Sequence, residues 1–255
     1  MKSETDTNRI QVIDRAAALL DAIARYPEPV NLKILSAETG LHTSTAHRIL
    51  SSLIDNRFVE RDPSGRYRLG IHLLQLGVRL HNKIDLRSVA LPYMEALRDQ
   101  LNESVNLTLR EGDVVIYLEK ATPNRMMHVQ QVVGSRAPLH VTAVGKLMLG
   151  TGSEDDIRSY AQRTNLPAYT RNTLSTLPQL LHECREASQQ GYALDNEEAE
   201  IGVGCIGVLI HDSTGRAVAG LSVSAPMERR QLAWVDAVKA AGQAISAQLG
   251  CQPSG

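Results

Sequence analysis

The chain has 255 residues, 43% hydrophobic and 22% charged, with a formal net charge of −1, which is the composition of a globular protein able to bury a core. The sequence shows no charged-then-apolar leader pattern and no apolar run of membrane-spanning length, which predicts a cytoplasmic protein with no membrane partner. Cys184, Cys205 and Cys251 fit neither a zinc site nor a disulfide framework, so free thiols and no metal are expected. Residues 1–80 carry 11 Lys and Arg against 9 Asp and Glu, and the remainder 16 against 19. The placement of the cations, and not their total, therefore decides whether nucleic acid is a partner.

In chain order, Val12, Ala16, Leu19, Leu20 and Ile23 recur at helical spacing from Ile10 to Tyr26, where the Pro27-Glu28-Pro29 segment ends the run. Asn31 is suited to cap a second short helix, Leu32 to Thr39, and Gly40 to close it in a left-handed conformation. After the turn at Gly40-Leu41-His42, Thr43 or Ser44 is expected to cap a third helix with Ala46, Ile49, Leu50, Leu53 and Ile54 on one apolar stripe. Its other side carries Thr43, Ser44, Thr45, His47, Arg48, Ser51 and Ser52. Short polar side chains with one Arg and one His, and no acid, suit a helix that enters a major groove of double-stranded DNA.

Phe58 to Leu69 then reads as a hairpin, two β-prone arms around Asp62-Pro63-Ser64-Gly65. Arg61, Arg66 and Arg68 cluster near its tip, where cationic side chains reach phosphates or the minor groove. Glu60 and Asp62 dilute that charge unless the tip geometry keeps them off the phosphates. A hairpin after a helix-turn-helix is a DNA-binding wing.

Residues 41–70, LHTSTAHRILSSLIDNRFVERDPSGRYRLG, resemble the winged helix of the IclR (isocitrate lyase regulator) family of bacterial transcription factors, and the resemblance continues from about Val12 to Leu249. The expected fold class is therefore α+β. A winged helix-turn-helix DNA-binding domain spans 1–70, a linker helix 71–84, and an effector-binding domain 85–255 of GAF-like, antiparallel-sheet α/β type.

Ile71, Leu73, Leu74, Leu76 and Leu80 give the linker an apolar stripe, which a second copy of the chain covers most economically. The chain is thus expected to be a homo-oligomer, a dimer or tetramer. A further helix is read from Leu86 to Leu101. Two hairpins follow, Val105–Arg110 with Val114–Lys120 and Cys205–Ile210 with Ala217–Ser224. Helices are read at Val144–Leu149, at Glu154–Thr164 behind a Ser153 cap, at Leu177–Gln190 and at Arg229–Leu249.

The resemblance implies an effector pocket made of Thr142, Ala143, Asp195, Cys205, Ser222 and Ser224. Hydroxyls, a thiol and helix-start amides suit a small organic effector, a carboxylate or carbonyl compound, aliphatic or aromatic, held by neutral hydrogen bonds. Asp195 then bonds to a ligand hydroxyl or receives a proton. Leu107, Tyr117 and Met127 are candidate apolar walls, while Arg136 and Lys146 are ambiguous between an acid-binding and a surface role.

The competing enzymatic reading is a hydrolase with Cys205 or Ser222 as nucleophile and His140 or His211 as base. No nucleophile elbow, phosphate loop, dinucleotide fingerprint or zinc-protease motif accompanies those residue types. No cofactor is expected. A plain structural module leaves the three-arginine hairpin unexplained.

Overall fold

The structure, a computed structural model, describes residues 10–81 and 85–252, the side chains of residues 77–81 excepted. It divides into two compact units, Met1–Lys83 and Ile84–Gly255.

In the first unit α1 (Gln11–Ala24) turns Leu19, Ala22 and Ile23 inward. It stops two residues before Tyr26. In α2 (Leu32–Thr39), Asn31 Oδ1 accepts the Ile34 N–H at 3.0 Å, and Gly40 closes the helix at φ +64°. Both termini thus satisfy backbone groups that the helix leaves unpaired.

The third helix, α3 (Thr43–Asp55), buries Ala46, Ile49, Leu50 and Leu53. Neither Thr43 nor Ser44 caps it. His42 takes that position, with Nδ1 accepting from Ser44 Oγ at 2.9 Å and, more weakly, from the Ser44 N–H at 3.4 Å. Extended backbone at residue 42 starts the helix one residue earlier than a hydroxyl cap at Thr43 requires.

Strands β1 (Val59–Arg61) and β2 (Tyr67–Leu69) pair antiparallel with Glu60 opposite Arg68. Two backbone hydrogen bonds between Val30 and Tyr67, of 2.9 and 2.8 Å, fasten this hairpin to the helices. Tyr67 itself is 1% exposed, inside the cluster of Leu19, Leu35, Leu50 and Val59.

Helix α4 (Ile71–His81) follows. Ile71, Leu74 and Leu76 on it are exposed, as are Ile10, Val12 and Ile13 at the start of α1. The Leu80 side chain and residues 82–84 lie outside the described residues.

The second unit is a six-stranded antiparallel sheet in the order β5-β4-β3-β8-β7-β6. Its strands are β3 (Ser104–Glu111), β4 (Val114–Ala121), β5 (Arg136–Pro138), β6 (Ala193–Asn196), β7 (Val203–His211) and β8 (Ala217–Pro226). Strand alternation divides the residues between two faces. Val105, Leu107, Ile206, Val208, Leu221 and Val223 form one core with α5 (Leu86–Leu101) and α9 (Val235–Gln248).

The opposite face packs against α6 (Ala143–Gly150), which in turn contacts α7 (Glu154–Thr164) and α8 (Leu177–Gln190). Helix α9 begins six residues after the predicted Arg229. Arg229 is drawn to the buried Glu103 at 2.6 Å and Arg230 to Asn196 Oδ1 at 2.7 Å. These two bonds, together with the turn at Met227, hold the preceding segment out of helical conformation. Among the described residues no helix is long and apolar enough to cross a membrane.

Candidate functional site

In the first unit the apolar stripe of α3 goes inward and leaves Thr43, Ser44, His47 and Arg48 exposed, with Thr45 and Ser51 half-buried beside them. Arg48 makes no ion pair with a described residue. Asp55, at the far end of α3, is its one acidic residue.

The hairpin resolves the charge problem posed by Glu60 and Asp62. Asp62 Oδ1 accepts from Ser64 Oγ at 2.7 Å and from the Arg66 N–H at 2.9 Å, so this carboxylate is spent on holding the turn. Those bonds also hold its carboxyl below the usual carboxylate range. Glu60 pairs across the ladder with Arg68 at 2.7 Å, and that pair lowers its pKa likewise.

The three arginines therefore differ. Arg68 is committed to Glu60. Arg61 folds back, its Nε donating to Gly65 O at 3.2 Å and its guanidinium lying 5.5 Å from the Tyr67 ring centre. Arg66, exposed beside the turn, has no acidic partner among the described residues.

In the second unit Thr142 caps α6, its Oγ1 accepting the Gly145 N–H at 3.1 Å. This leaves the first-turn amides of Ala143 and Val144 without an intrahelical acceptor. Close approach of α6 to the sheet depends on two glycines. A Cβ on Gly207 would lie 2.8 Å from Val144 Cγ1, and one on Gly220 would lie 2.7 Å from Val144 Cβ.

Beside this contact the sheet is polar. Ser104, Ser224, Cys205 and Asp195 stand opposite one another across β3, β8, β7 and β6, and Asn106 stands opposite Ser222 in the adjoining row. Asn106 Nδ2 donates to Ser224 Oγ at 3.1 Å, and Ser224 Oγ lies 3.2 Å from Cys205 Sγ. The structure thus brings Asp195, Cys205, Ser222 and Ser224 onto one face, the face on which α6 starts at Thr142 and Ala143.

Burial sets the electrostatics here. Asp195, 2% exposed, has its carboxyl raised by desolvation although it accepts the Glu198 N–H at 2.8 Å. The Cys205 thiol is pushed far up by burial and then by the Asp195 charge, which makes it a poor nucleophile. Desolvation likewise raises the phenol of Tyr117, with Cys205 and Asp195 adding to the shift.

Sequence reasoning left the role of Lys146 open. It is 0% exposed, and its Nζ lies 2.7 Å from both oxygens of Glu198, itself 3% exposed. Burial pushes Glu198 up to about 7 even with this partner. A lone charge in the apolar Val144–Gly150 run was the available signal for a buried, paired lysine. Arg136, by contrast, forms an exposed pair with Glu111.

Two proposed walls are corrected. Leu107 belongs to the opposite core with α5 and α9, because odd positions of β3 face that way. Met127 is 75% exposed, on a β4–β5 connection whose backbone carbonyls accept hydrogen bonds instead. Val129 O accepts from Ser104 Oγ, and Gln131 O accepts from Lys120 Nζ. Two shallow clefts, of about 250 Å³ beside Arg158 and Leu177 and about 330 Å³ beside Arg110 and Met148, both lie away from the polar face.

The hydrolase geometry is not assembled. His140 is buried and held between Tyr160 Oη at 2.8 Å and Pro167 O at 3.1 Å, and desolvation lowers its pKa. It therefore serves as a neutral packing residue. His211 sits at the far end of β7 from Cys205.

The model described as the IclR helix-turn-helix domain matches residues 12–63, and that of the bacterial transcriptional regulator IclR C-terminal domain matches residues 78–247. The DNA-binding transcriptional repressor YiaJ of Escherichia coli is 32% identical over 248 residues, covering 94% of this chain and 88% of that protein. The Agobacterium tumefaciens repressor BlcR superposes with a TM-score of 0.83 at 24% identity, covering 96% of this chain and 100% of that one. An IclR homolog from Microbacterium hydrocarbonoxydans, solved in complex with 4-hydroxybenzoate, superposes with a TM-score of 0.61 at 24% identity, covering 93% of this chain and 98% of the other. The chain belongs to the IclR family of bacterial transcriptional regulators.

Proposed function

We propose that this regulator binds a double-stranded DNA operator through Thr43, Ser44, Thr45, His47, Arg48 and Ser51 on α3, with Arg66 reaching phosphate and Arg61 and Arg68 flanking it on the hairpin. The observation that carries this reading is the outward polar side of α3, with Arg48 unpaired by any described acid. A groove-reading helix needs such a side, because base edges and phosphates must be met without carboxylate repulsion.

The reading extends to a small organic acid held on the polar face by the α6 first turn at Thr142 and Ala143 and by Asp195, Cys205, Ser222 and Ser224. Support comes from the relative solved with 4-hydroxybenzoate and from a face rich in neutral hydrogen-bonding groups. Residues 1–70 then act as the reader, 71–84 as the linker helix and 85–255 as the sensor, in a cytoplasmic homo-oligomer, dimer or tetramer. The exposed Ile71, Leu74 and Leu76 on α4 favour pairing of copies through the linker.

Regulation requires the acid to bind two arrangements of the assembly with different affinity, which shifts operator binding by the same factor. The test is a gel-shift titration of the chain's own promoter fragments with and without a panel of small carboxylic acids. At least one acid changes operator affinity, and Ser222→Ala removes that change. No response to any acid removes the sensing half of the proposal. Joint loss of operator binding and response in Ser222→Ala marks a folding defect.

A further inference from the structure

One residue of the polar face has a role that the family resemblance did not assign. Asn106 is 0% exposed on β3, a central strand, and its Oδ1 has no hydrogen-bond partner. An amide oxygen buried without a donor costs about 1–3 kcal/mol, and a donor arriving with a ligand would relieve that cost.

The orientation of the amide follows from its neighbours. Ser224 Oγ accepts from the Asn106 NH2 at 3.1 Å and lies 3.2 Å from Cys205 Sγ on its other side. The amide thus spends its NH2 on the row, and its oxygen is left without a partner.

Directly opposite Asn106 on β8 is Ser222, 5% exposed, whose hydroxyl makes no hydrogen bond to a described residue. The nearby cations are already committed. Lys146 is held by Glu198, Arg230 by Asn196 and the Asp195 carbonyl, and Lys120 by the Gln131 carbonyl. An acceptor and a donor side by side, with these cations already hydrogen-bonded elsewhere, match a group that both donates and accepts.

We propose that Asn106 selects for a ligand hydroxyl: Oδ1 accepts its proton while Ser222 Oγ donates to its oxygen, so the site takes a hydroxylated small carboxylate in preference to its deoxy counterpart. This rests on the effector reading above and narrows it. A carboxylate alone, lying on the α6 amides, leaves the Asn106 oxygen unpaired.

The test is calorimetric titration of the full chain with matched pairs of acids: glycolate and acetate, lactate and propionate, 4-hydroxybenzoate and benzoate. In a pair that binds, the hydroxylated acid binds about tenfold or more tighter than its partner, and Asn106→Ala brings the two within about twofold of each other. Should Asn106→Ala fail to fold, the wild-type ratio alone decides. Equal affinity within every binding pair overturns the role of Asn106 while leaving the effector site standing, and so does a preference for the deoxy member. Absence of binding by all six acids, together with an unresponsive operator complex, overturns the effector reading itself.

Discussion

The two units use charge in opposite ways. On α3 and the hairpin, Arg48 and Arg66 stand in solvent without an acidic partner among the described residues, while Asp62 and Glu60 are tied down by the turn and by Arg68. On the polar face of the second unit Lys146 and Glu198 are buried against each other, Asp195 is buried with a backbone N–H as its partner, and an amide oxygen and a hydroxyl are left open. A polyanion held in water is met by accessible cations. A small ligand enclosed by protein is sorted by neutral hydrogen bonds, whose loss in a buried place is costly.

The largest expected effect breaks the buried side of this contrast. Glu198→Ala leaves the fully buried Lys146 ammonium only the partly exposed Glu183 carboxylate at 3.5 Å and lowers stability by up to about 3–5 kcal/mol, read as a shift in the denaturant midpoint. The double replacement Lys146→Met with Glu198→Leu recovers most of the loss. If the single variant unfolds with the wild-type midpoint, the pair is not desolvated as described.

A second effect depends on pH. Burial holds the Asp195 and Glu198 carboxyls above their ordinary values, Glu198 at about 7. Their contribution to stability is therefore fully present below the unfolded-state values and is lost as pH rises through the folded ones. Asp195→Asn removes its share of that loss. The variant's melting temperature gains on the wild type progressively as pH rises from about 4 towards neutrality. An offset independent of pH contradicts the assignment.

The smallest effect concerns the exposed side. Arg66→Ala weakens binding to operator and unrelated DNA alike and reduces the slope of log affinity against log salt by about 1, as loss of one phosphate contact requires. Arg68→Ala, which frees Glu60 near the hairpin tip, tests whether the ladder pair keeps that acid off the backbone. Operator affinity falls more than in Arg66→Ala if it does.

The helices of the first unit were legible because their signals are local. Helical periodicity put Ala46, Ile49, Leu50 and Leu53 inward and so exposed Thr43, Ser44, His47 and Arg48, and Asn31 and Gly40 marked the ends of α2 by their own chemistry. The cap of α3 was misplaced by one residue because an imidazole nitrogen does the work usually done by a hydroxyl.

The polar face of the second unit was reached only through family resemblance, because it is assembled across strands. Nothing local places Asp195 opposite Cys205 or Asn106 opposite Ser222. A partial signal existed. In Ser104-Val105-Asn106-Leu107-Thr108 the polar residues alternate with apolar ones, which sets Asn106 on a polar face and Leu107 on the other. The start of α9 was missed because Arg229 and Arg230 are claimed by tertiary partners, Glu103 and Asn196, that no helical pattern reports.

The most direct measurement is the affinity of Arg48→Ala for the operator, by fluorescence anisotropy at fixed salt, beside its circular dichroism and melting temperature. Loss of about 1–3 kcal/mol of binding with an unchanged fold is the predicted result. Wild-type affinity in a folded Arg48→Ala would mean that the outward side of α3 does not read DNA.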